Sequence, residues 1–357
     1  MSDNFSVQSI YGEYQVTFGS YLDQLPAIIE DGDIVIIDEN ILTFHPEISP
    51  IFSDQHVLKV KANEDAKTYQ SIGILLGKII ESGFTKANKI IAIGGGVTQD
   101  ITAFSSSILF RGVDWVFFPT NLLTQCDSCI GSKTSVNFDK YKNQLGGFYP
   151  PRKIIIDSKF LDTISPLEVA SGLGEMMHYF LVDGVSSLDE LNQEIVQAKT
   201  DRATLNRLIH RSLTIKRKMI EIDEFDKGPR NVFNYGHTFG HAIETTSGYS
   251  VPHGVAVAYG IDLANLISER MGLIDMSLRN EIRPILENIW QEKALPDINI
   301  TQYMNALSKD KKNTGKDINA ILTKGLGNMF KSPIPRTEDV KELINNFFQQ
   351  QLYSQIL

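Results

Sequence analysis

The chain has 357 residues, is 42% hydrophobic and 22% charged, and carries a net charge of −9, which is enough for two globular domains with cores of their own. The negative balance argues against a nucleic-acid partner. No apolar run approaches the length of a membrane span, and Met1-Ser2-Asp3-Asn4 lacks the basic and apolar regions of a signal peptide, so a cytoplasmic protein is expected.

The first half alternates short apolar runs with helical periodicity. Residues 34–37 are a β-branched run ending in Asp38, which reads as a buried strand. Residues 67–82 place Ile72, Leu75, Leu76, Ile79 and Ile80 at helical spacing. A second strand, 89–93, runs into Gly94-Gly95-Gly96; a third, 113–118, ends at Pro119-Thr120; a fourth covers 153–156. This alternation predicts a mostly parallel sheet, a Rossmann-like α/β domain over residues 1–157.

From residue 158 to 357 the pattern turns helical. Residues 166–181, 204–222, 234–246 and 255–270 read as helices, and 338–352 as another with Thr337 as its N-cap. Strand signals are sparse there apart from 320–322, so a mainly α-helical C-terminal domain is expected.

Three motifs bear on chemistry. Cys126 and Cys129 have C-x-x-C spacing, but no second pair completes a zinc site and no thioredoxin-like context surrounds them, so neither redox nor metal work is expected of them. Gly94-Gly95-Gly96-Val97-Thr98-Gln99-Asp100 lacks the G-x-G-x-x-G fingerprint. Its place between strand and helix still suits a phosphate group, which backbone amides and a helix N-terminus favour. Asp38, at a strand end, suits a ribose, with a turn or cap residue as the plainer alternative.

The third motif is a histidine stretch. Five of the seven histidines lie between residues 178 and 253. His237 and His241, in Asn234-Tyr235-Gly236-His237-Thr238-Phe239-Gly240-His241, share a helix face, and the turn-rich 247–252 can return His253 toward it. With Glu175 upstream, two or three imidazoles and a carboxylate form a plausible shell for a catalytic divalent metal. Spacing alone leaves open which histidines bind.

Taken in order, these motifs resemble a known family. Gly94-Gly95-Gly96-Val97-x-x-Asp100, Arg111-Gly112, Pro119-Thr120, Asp127-Ser128, Lys133-Thr134 and Lys142-Asn143 come first, then Gly172-Leu173-Gly174-Glu175, Asn234-x-Gly236-His237-x-x-Gly240-His241 and His253-Gly254. Over residues 34 to 325 the set is similar to 3-dehydroquinate synthase and its sugar phosphate cyclase relatives. The resemblance implies an NAD-binding domain, a helical metal- and substrate-binding domain, an active site in the cleft between them, a homodimer, and a place in the shikimate pathway of aromatic amino acid biosynthesis. Neither nucleic acid nor membrane is implied.

Residue by residue, the resemblance implies Glu175, His237 and His253 as ligands of zinc or cobalt, with His241 turned to the substrate phosphate. It implies NAD contacts at Asp38, Asn40, Glu64, Lys67, Gly95, Gly96, Val97, Asp100, Thr120, Asn121 and Thr163. Asp127, Lys133, Lys142 and Asn143 match the active-site loop, and Lys216, Arg230, Asn234 and His241 the helical-domain set. Lys312, or its neighbour Lys311, matches a C-terminal lysine, and Arg111 is expected to reach the neighbouring subunit's site. Keeping Lys216, Arg230, Asn234 and His241 together favours 3-deoxy-D-arabino-heptulosonate 7-phosphate as substrate. His178, Ser132, Asn121 and Val255 depart from the family pattern and point to a relative acting on another sugar phosphate as the alternative. Metal-dependent polyol dehydrogenases share the architecture, but a simple polyol needs no anion cluster like Lys133, Lys142, Asn143 and Arg230.

Overall fold

A computed structural model describes residues 4–52, 56–139, 141–309 and 317–353. The chain divides into two compact units. One holds Met1–Ile164 and Arg217–Phe225, the other Ser165–Lys216 and Asp226–Leu357.

The first unit is built on a seven-stranded sheet. Its strands are β1 (Phe5–Val7), β2 (Tyr14–Phe18), β3 (Ile34–Asp38), β4 (Val57–Val60), β5 (Ile90–Gly94), β6 (Trp115–Pro119) and, after a hairpin of β7 (Lys133–Phe138) and β8 (Tyr141–Phe148), β9 (Lys153–Ile156). The order is β1-β2-β9-β6-β5-β3-β4, parallel throughout except for β1 against β2. Alternate residues Val35, Ile37, Ile91, Ile93, Val116, Phe118 and Ile155 pack with Tyr21, Leu25 and Phe160. The intervening Ile34, Ile36, Ile90, Ala92, Phe117 and Ile154 are also buried. Both faces are covered, which explains why these strands read as continuous apolar runs. Around the sheet lie α1 (Tyr21–Ile28), the short α2 (Ile41–Phe44), α3 (Tyr69–Glu81) and α4 (Gly96–Ile108).

The expected strands and helix are present within two residues of their predicted ends, and Thr68 caps α3 by accepting from Ser71 N. Strands β1, β2, β4, β7 and β8 were not among the expected elements, although Tyr14, Val16 and Phe18 of β2 alternate with Gln15 and Thr17. β8 alternates too little to reveal itself, with mostly exposed residues.

The second unit contains α5 (Pro166–Asp183), α6 (Val185–Ala198), α7 (Arg202–Ile222, its end counted with the first unit), α8 (His237–Thr246), α9 (His253–Arg270), α10 (Met276–Trp290), α11 (Ile300–Lys309) and α12 (Glu338–Tyr353), together with a hairpin of β10 (Asp317–Thr323) and β11 (Met329–Pro335). Helix α9 is buried from Gly254 to Ser268, as a core helix must be if α5, α8 and α10 all pack on it. Its buried Asp262 is satisfied by Arg279, at 2.8 and 3.1 Å. Thr337 caps α12 as expected, accepting from Val340 N.

One expected helix is shorter than its pattern. Residues Pro229–Asn234 form a 3-10 turn, and α8 begins only at His237. Gly236, at φ 81°, breaks the path, since a left-handed residue cannot continue a right-handed helix. Asn234 therefore lies ahead of the helix that carries the histidines.

Candidate active-site residues in each unit

In the first unit the sheet's topology picks out one crevice. From β3 the chain moves outward to β4, and later strands build on the opposite side through β5. The carboxyl ends of β3 and β5 therefore flank a switch point, where open parallel sheets receive ligands. Asp38 ends β3, Gly94 ends β5, and Thr120 follows β6, its N–H bonded to Gly94 O at 3.0 Å. Gly95 is the N-cap of α4, and a Cβ there would collide with Asn121 Nδ2. That Asn121 is itself fixed, accepting from Thr124 N at 2.9 Å. Asp38 Oδ1 accepts from Asn40 N at 3.0 Å, so its side chain also caps the turn after β3. Burial pushes its carboxyl above the usual range against that bond.

A polar network stands beside the crevice. Lys67 is buried, yet its Nζ lies 3.0 Å from Asp100 Oδ2, 2.9 Å from Asn143 Oδ1 and 3.4 Å from Glu64 Oε1. Ser135 N donates to Asp100 Oδ1 at 3.0 Å. Burial raises the Asp100 carboxyl, and Lys67 opposes that shift. Asn143 arrives by a bulge: between the pairs Val136–Leu145 and Phe138–Tyr141, β7 has only Asn137 while β8 has Lys142, Asn143 and Gln144. Asn143 sits at φ 53°, a left-handed conformation that Asn tolerates. Its N–H donates to Asn137 Oδ1 at 2.9 Å, and Asn137 Nδ2 donates to Glu64 Oε2 at 3.0 Å. The fold thus joins Glu64, Lys67, Asp100 and Asn143, which sequence could only name one at a time.

Of the unit's other candidates, Lys142 adds its charge to that network by helping to lower the Glu64 carboxyl. Lys133 and Lys142 are exposed on the hairpin, and Asp127 is half-buried in the π-helical turn Thr124–Ser128. Gly96 and Val97 open α4. Thr163 is exposed and touches buried His45, Oγ1 to Nε2, at 3.3 Å. Arg111 follows α4 at φ 65°, next to Phe110 at φ 47°; two consecutive non-glycine residues in that region store strain of order 1–3 kcal/mol each. Cys126 and Cys129 are buried thiols bonded to backbone carbonyls.

In the second unit, Glu175 on α5 faces His237 on α8 and His253 on α9. Glu175 Oε1 lies 3.4 Å from His237 Nε2, and Oε2 lies 3.2 Å from His253 Nε2. Three helices meet this closely because α5 and α9 touch through glycine: a Cβ on Gly174 would overlap Gly254 O, and one on Gly254 would overlap Ser171 O. Ser171 Oγ also accepts from Gly254 N at 3.0 Å, fixing the start of α9. Each histidine is held from behind as well. His237 Nδ1 stands 3.2 Å from Tyr235 O, and His253 Nδ1 stands 3.0 Å from Glu244 Oε2. Burial opposes ionisation of Glu175, but His237 and His253 hold its carboxyl well below the usual range. Burial likewise opposes a charged His253, and Glu175 and Glu244 outweigh it, keeping its pKa well above the usual imidazole value.

The donor set fits a divalent metal. One ligand atom from each of the three residues lies within 4.8 Å of the others, which brings a carboxylate and two imidazoles, the usual donors of a catalytic zinc, to one place. Glu175 Oε2 is buried and makes no hydrogen bond of good geometry among the described residues, a state that a cation relieves. One further trio of residues, His241, Glu244 and His253, also converges closely enough. His241 is exposed one turn along α8, its ring centroid 5.5 Å from those of His237 and His253. His178 Nδ1 lies 3.9 Å from Glu175 Oε1, with its buried ring edge-on to His237. Arg230 and Lys216 are buried. Asn234 closes the turn holding Arg230, its Nδ2 bonded to Asn231 O at 3.1 Å, and that turn packs on α5 and the β10–β11 hairpin. Lys311 and Lys312 lie outside the described residues. Sequence reasoning missed Ser171 and Glu244; the one available signal for Glu244 was its helical offset of seven from His237 and three from His241.

A parallel-sheet unit with a switch-point crevice, joined in one chain to a helical unit holding a Glu-His-His cluster, is the dehydroquinate synthase-like fold. The solved 2-deoxy-scyllo-inosose synthase, complexed with carbaglucose-6-phosphate, NAD+ and Co2+, shares it: TM-score 0.83 at 24% identity, over 97% of this chain and 99% of that one. By sequence the chain belongs to the 3-dehydroquinate synthase family, whose N-terminal model matches residues 57–171 and whose C-terminal model matches 172–313. It is 35% identical to the 3-dehydroquinate synthase of Alkaliphilus metalliredigens over 304 residues, 84% of this chain and 85% of that protein. It is 30% identical to that of Campylobacter concisus over 352 residues, covering 97% and 100%.

Proposed function

We propose that the chain is a phosphate-eliminating carbon–oxygen lyase that converts 3-deoxy-D-arabino-heptulosonate 7-phosphate to 3-dehydroquinate, using NAD and a divalent metal. The observation that carries this reading is the close approach of His237 and His253 to buried Glu175 in a chain of this family. Bound metal supplies charge that acidifies a substrate hydroxyl, and bound NAD supplies a reversible hydride acceptor. The rest falls to the chain's own residues. Glu175, His237 and His253 hold the metal. Asp38, Asn40, Thr120, Asn121, Thr163 and the start of α4, from Gly95 to Val97, receive the dinucleotide at the switch point, beside Glu64, Lys67 and Asp100.

Lys133, Lys142, Asn143 and His241 bind the phosphate through charge-assisted hydrogen bonds. Arg230 takes the planar carboxylate with its fork, beside Lys216 and Asn234, while Asp127 and Lys312 complete the substrate set. With metal and NAD bound, oxidation of the hydroxyl would make the neighbouring C–H acidic, phosphate would depart by β-elimination, reduction would restore the alcohol, and ring opening followed by an intramolecular aldol step would close the carbocycle. We further infer a cytoplasmic homodimer in which Arg111 serves the neighbouring subunit's site. Among the described residues no helix is long and apolar enough to cross a membrane.

His178 supports a second reading, a cyclase for a different sugar phosphate, because it puts a third imidazole against Glu175 where the family usually has lysine. Incubation with the heptulosonate phosphate, NAD and zinc tests the first reading. Phosphate and 3-dehydroquinate should appear together without net NADH. Release from a different sugar phosphate alone favours the second, and steady NADH accumulation from a polyol contradicts both.

A further inference from the structure

We propose that Glu244 is a positioning residue for the metal centre: it accepts the Nδ1–H of His253 and so presents Nε2 of that ring to the metal. The inference rests on the reading that Glu175, His237 and His253 hold the metal.

The two histidines of the cluster are built alike. Each turns Nε2 toward Glu175, at 3.4 and 3.2 Å, and each has an oxygen behind Nδ1. Behind His237 it is a backbone carbonyl, Tyr235 O at 3.2 Å; behind His253 it is a carboxylate, Glu244 Oε2 at 3.0 Å. A neutral imidazole has one N–H, and an acceptor at Nδ1 places the proton there. The Nε2 lone pair then faces Glu175, and the ring's orientation is fixed. A carboxylate does this more strongly than a carbonyl, and it makes the imidazole a better donor.

Glu244 is itself held. It lies in the last turn of α8, where its carbonyl accepts from Tyr249 N at 2.8 Å and from Ser247 Oγ at 3.1 Å. Its side chain is 16% exposed, so solvent competes little for the bond.

The alternative is that Glu244 is a ligand, in the trio with His241 and His253. That trio would need His253 to bind through Nδ1, turning an Nε2–H toward Glu175 Oε2, and would leave the buried Glu175 carboxylate outside the shell. It would also replace a buried acid by exposed His241. The imidazole ring lies between Glu244 and Glu175, so one ion cannot take both carboxylates together with His253. Glu244 therefore acts through His253.

The test is zinc affinity of the full-length protein, measured by competition with a chromophoric chelator, with no substrate or NAD present. Glu244→Ala should weaken zinc binding about 10- to 100-fold. Glu244→Gln keeps an oxygen that accepts the Nδ1–H and should recover most of that loss, to within about fivefold of wild type. His253→Ala should lose more than either. Should Glu244→Ala not fold, Glu244→Met fills the same space without an acceptor and replaces it. Wild-type protein that binds zinc together with a Glu244→Ala variant within twofold of it overturns this inference alone. Equal losses in Glu244→Ala, Glu244→Gln and His253→Ala also overturn it, because they make Glu244 a ligand. Wild-type protein that binds no zinc overturns the metal reading and this inference with it.

Discussion

The two units prepare for their ligands in opposite ways. In the first, the charged groups beside the switch point already satisfy one another: Lys67 sits on Asp100 and Asn143, and Ser135 N completes the Asp100 carboxylate. In the second, Glu175, His237 and His253 crowd one spot, and Glu175 Oε2 stays buried without a good hydrogen bond. On the proposed reading the first unit meets the nucleotide with groups already paired, whereas the Glu175–His237–His253 cluster gains a partner for Oε2 when a cation binds. Losses should therefore differ in kind: all-or-none at the shell, graded at the surface.

The largest effect is expected from His237→Ala. It removes one of three proposed ligands, so zinc binding should collapse and turnover fall by about 10³ or more, read by metal content and phosphate release. Retention of both would move the centre elsewhere. Next comes Gly174→Ala, whose Cβ overlaps Gly254 O. Overpacking of about 1–3 kcal/mol or more should appear as a lower Tm, with weaker zinc binding because Glu175 is the next residue. An unchanged Tm would mean α5 and α9 can part without loss.

Lys67→Ala should act more mildly, costing about 1–3 kcal/mol from unpaired Asp100 and Asn143 groups. Weaker NAD binding with zinc affinity intact, followed by fluorescence titration, would keep the two sites separate; a loss of zinc affinity would merge them. The smallest effect concerns pH. His253 holds its proton above the usual imidazole range, because Glu175 and Glu244 outweigh burial, and zinc must displace that proton. Apparent zinc affinity should keep rising as pH climbs past that range and level off only at higher pH. A plateau already reached below it would contradict the shift.

Much of this was legible in the chain. The central strands announced themselves because both sheet faces are buried, so Ile34 to Ile37 and Ile90 to Ile93 are apolar without alternation. The glycine turn before α4 and the histidine helix were equally plain. The β7–β8 hairpin was not: the mostly exposed residues of β8 carry no period, and the bulge that delivers Asn143 depends on pairing between strands. Helix α8 was drawn too long because Asn234 and Tyr235 fit the helical pattern, and only the left-handed Gly236 ends it. Glu244 stayed hidden since its partner, His253, sits beyond a turn on another helix. Residue identity reveals candidates; which atom of an imidazole faces which oxygen is decided by packing.

The most direct test of the metal-centred account is phosphate release from 3-deoxy-D-arabino-heptulosonate 7-phosphate by chelator-stripped protein with NAD, before and after adding zinc, in wild type and His237→Ala. The account predicts no release without metal, restoration in the wild type, and none in the variant. Equal release by stripped wild-type protein, or full restoration of His237→Ala by zinc, would contradict it.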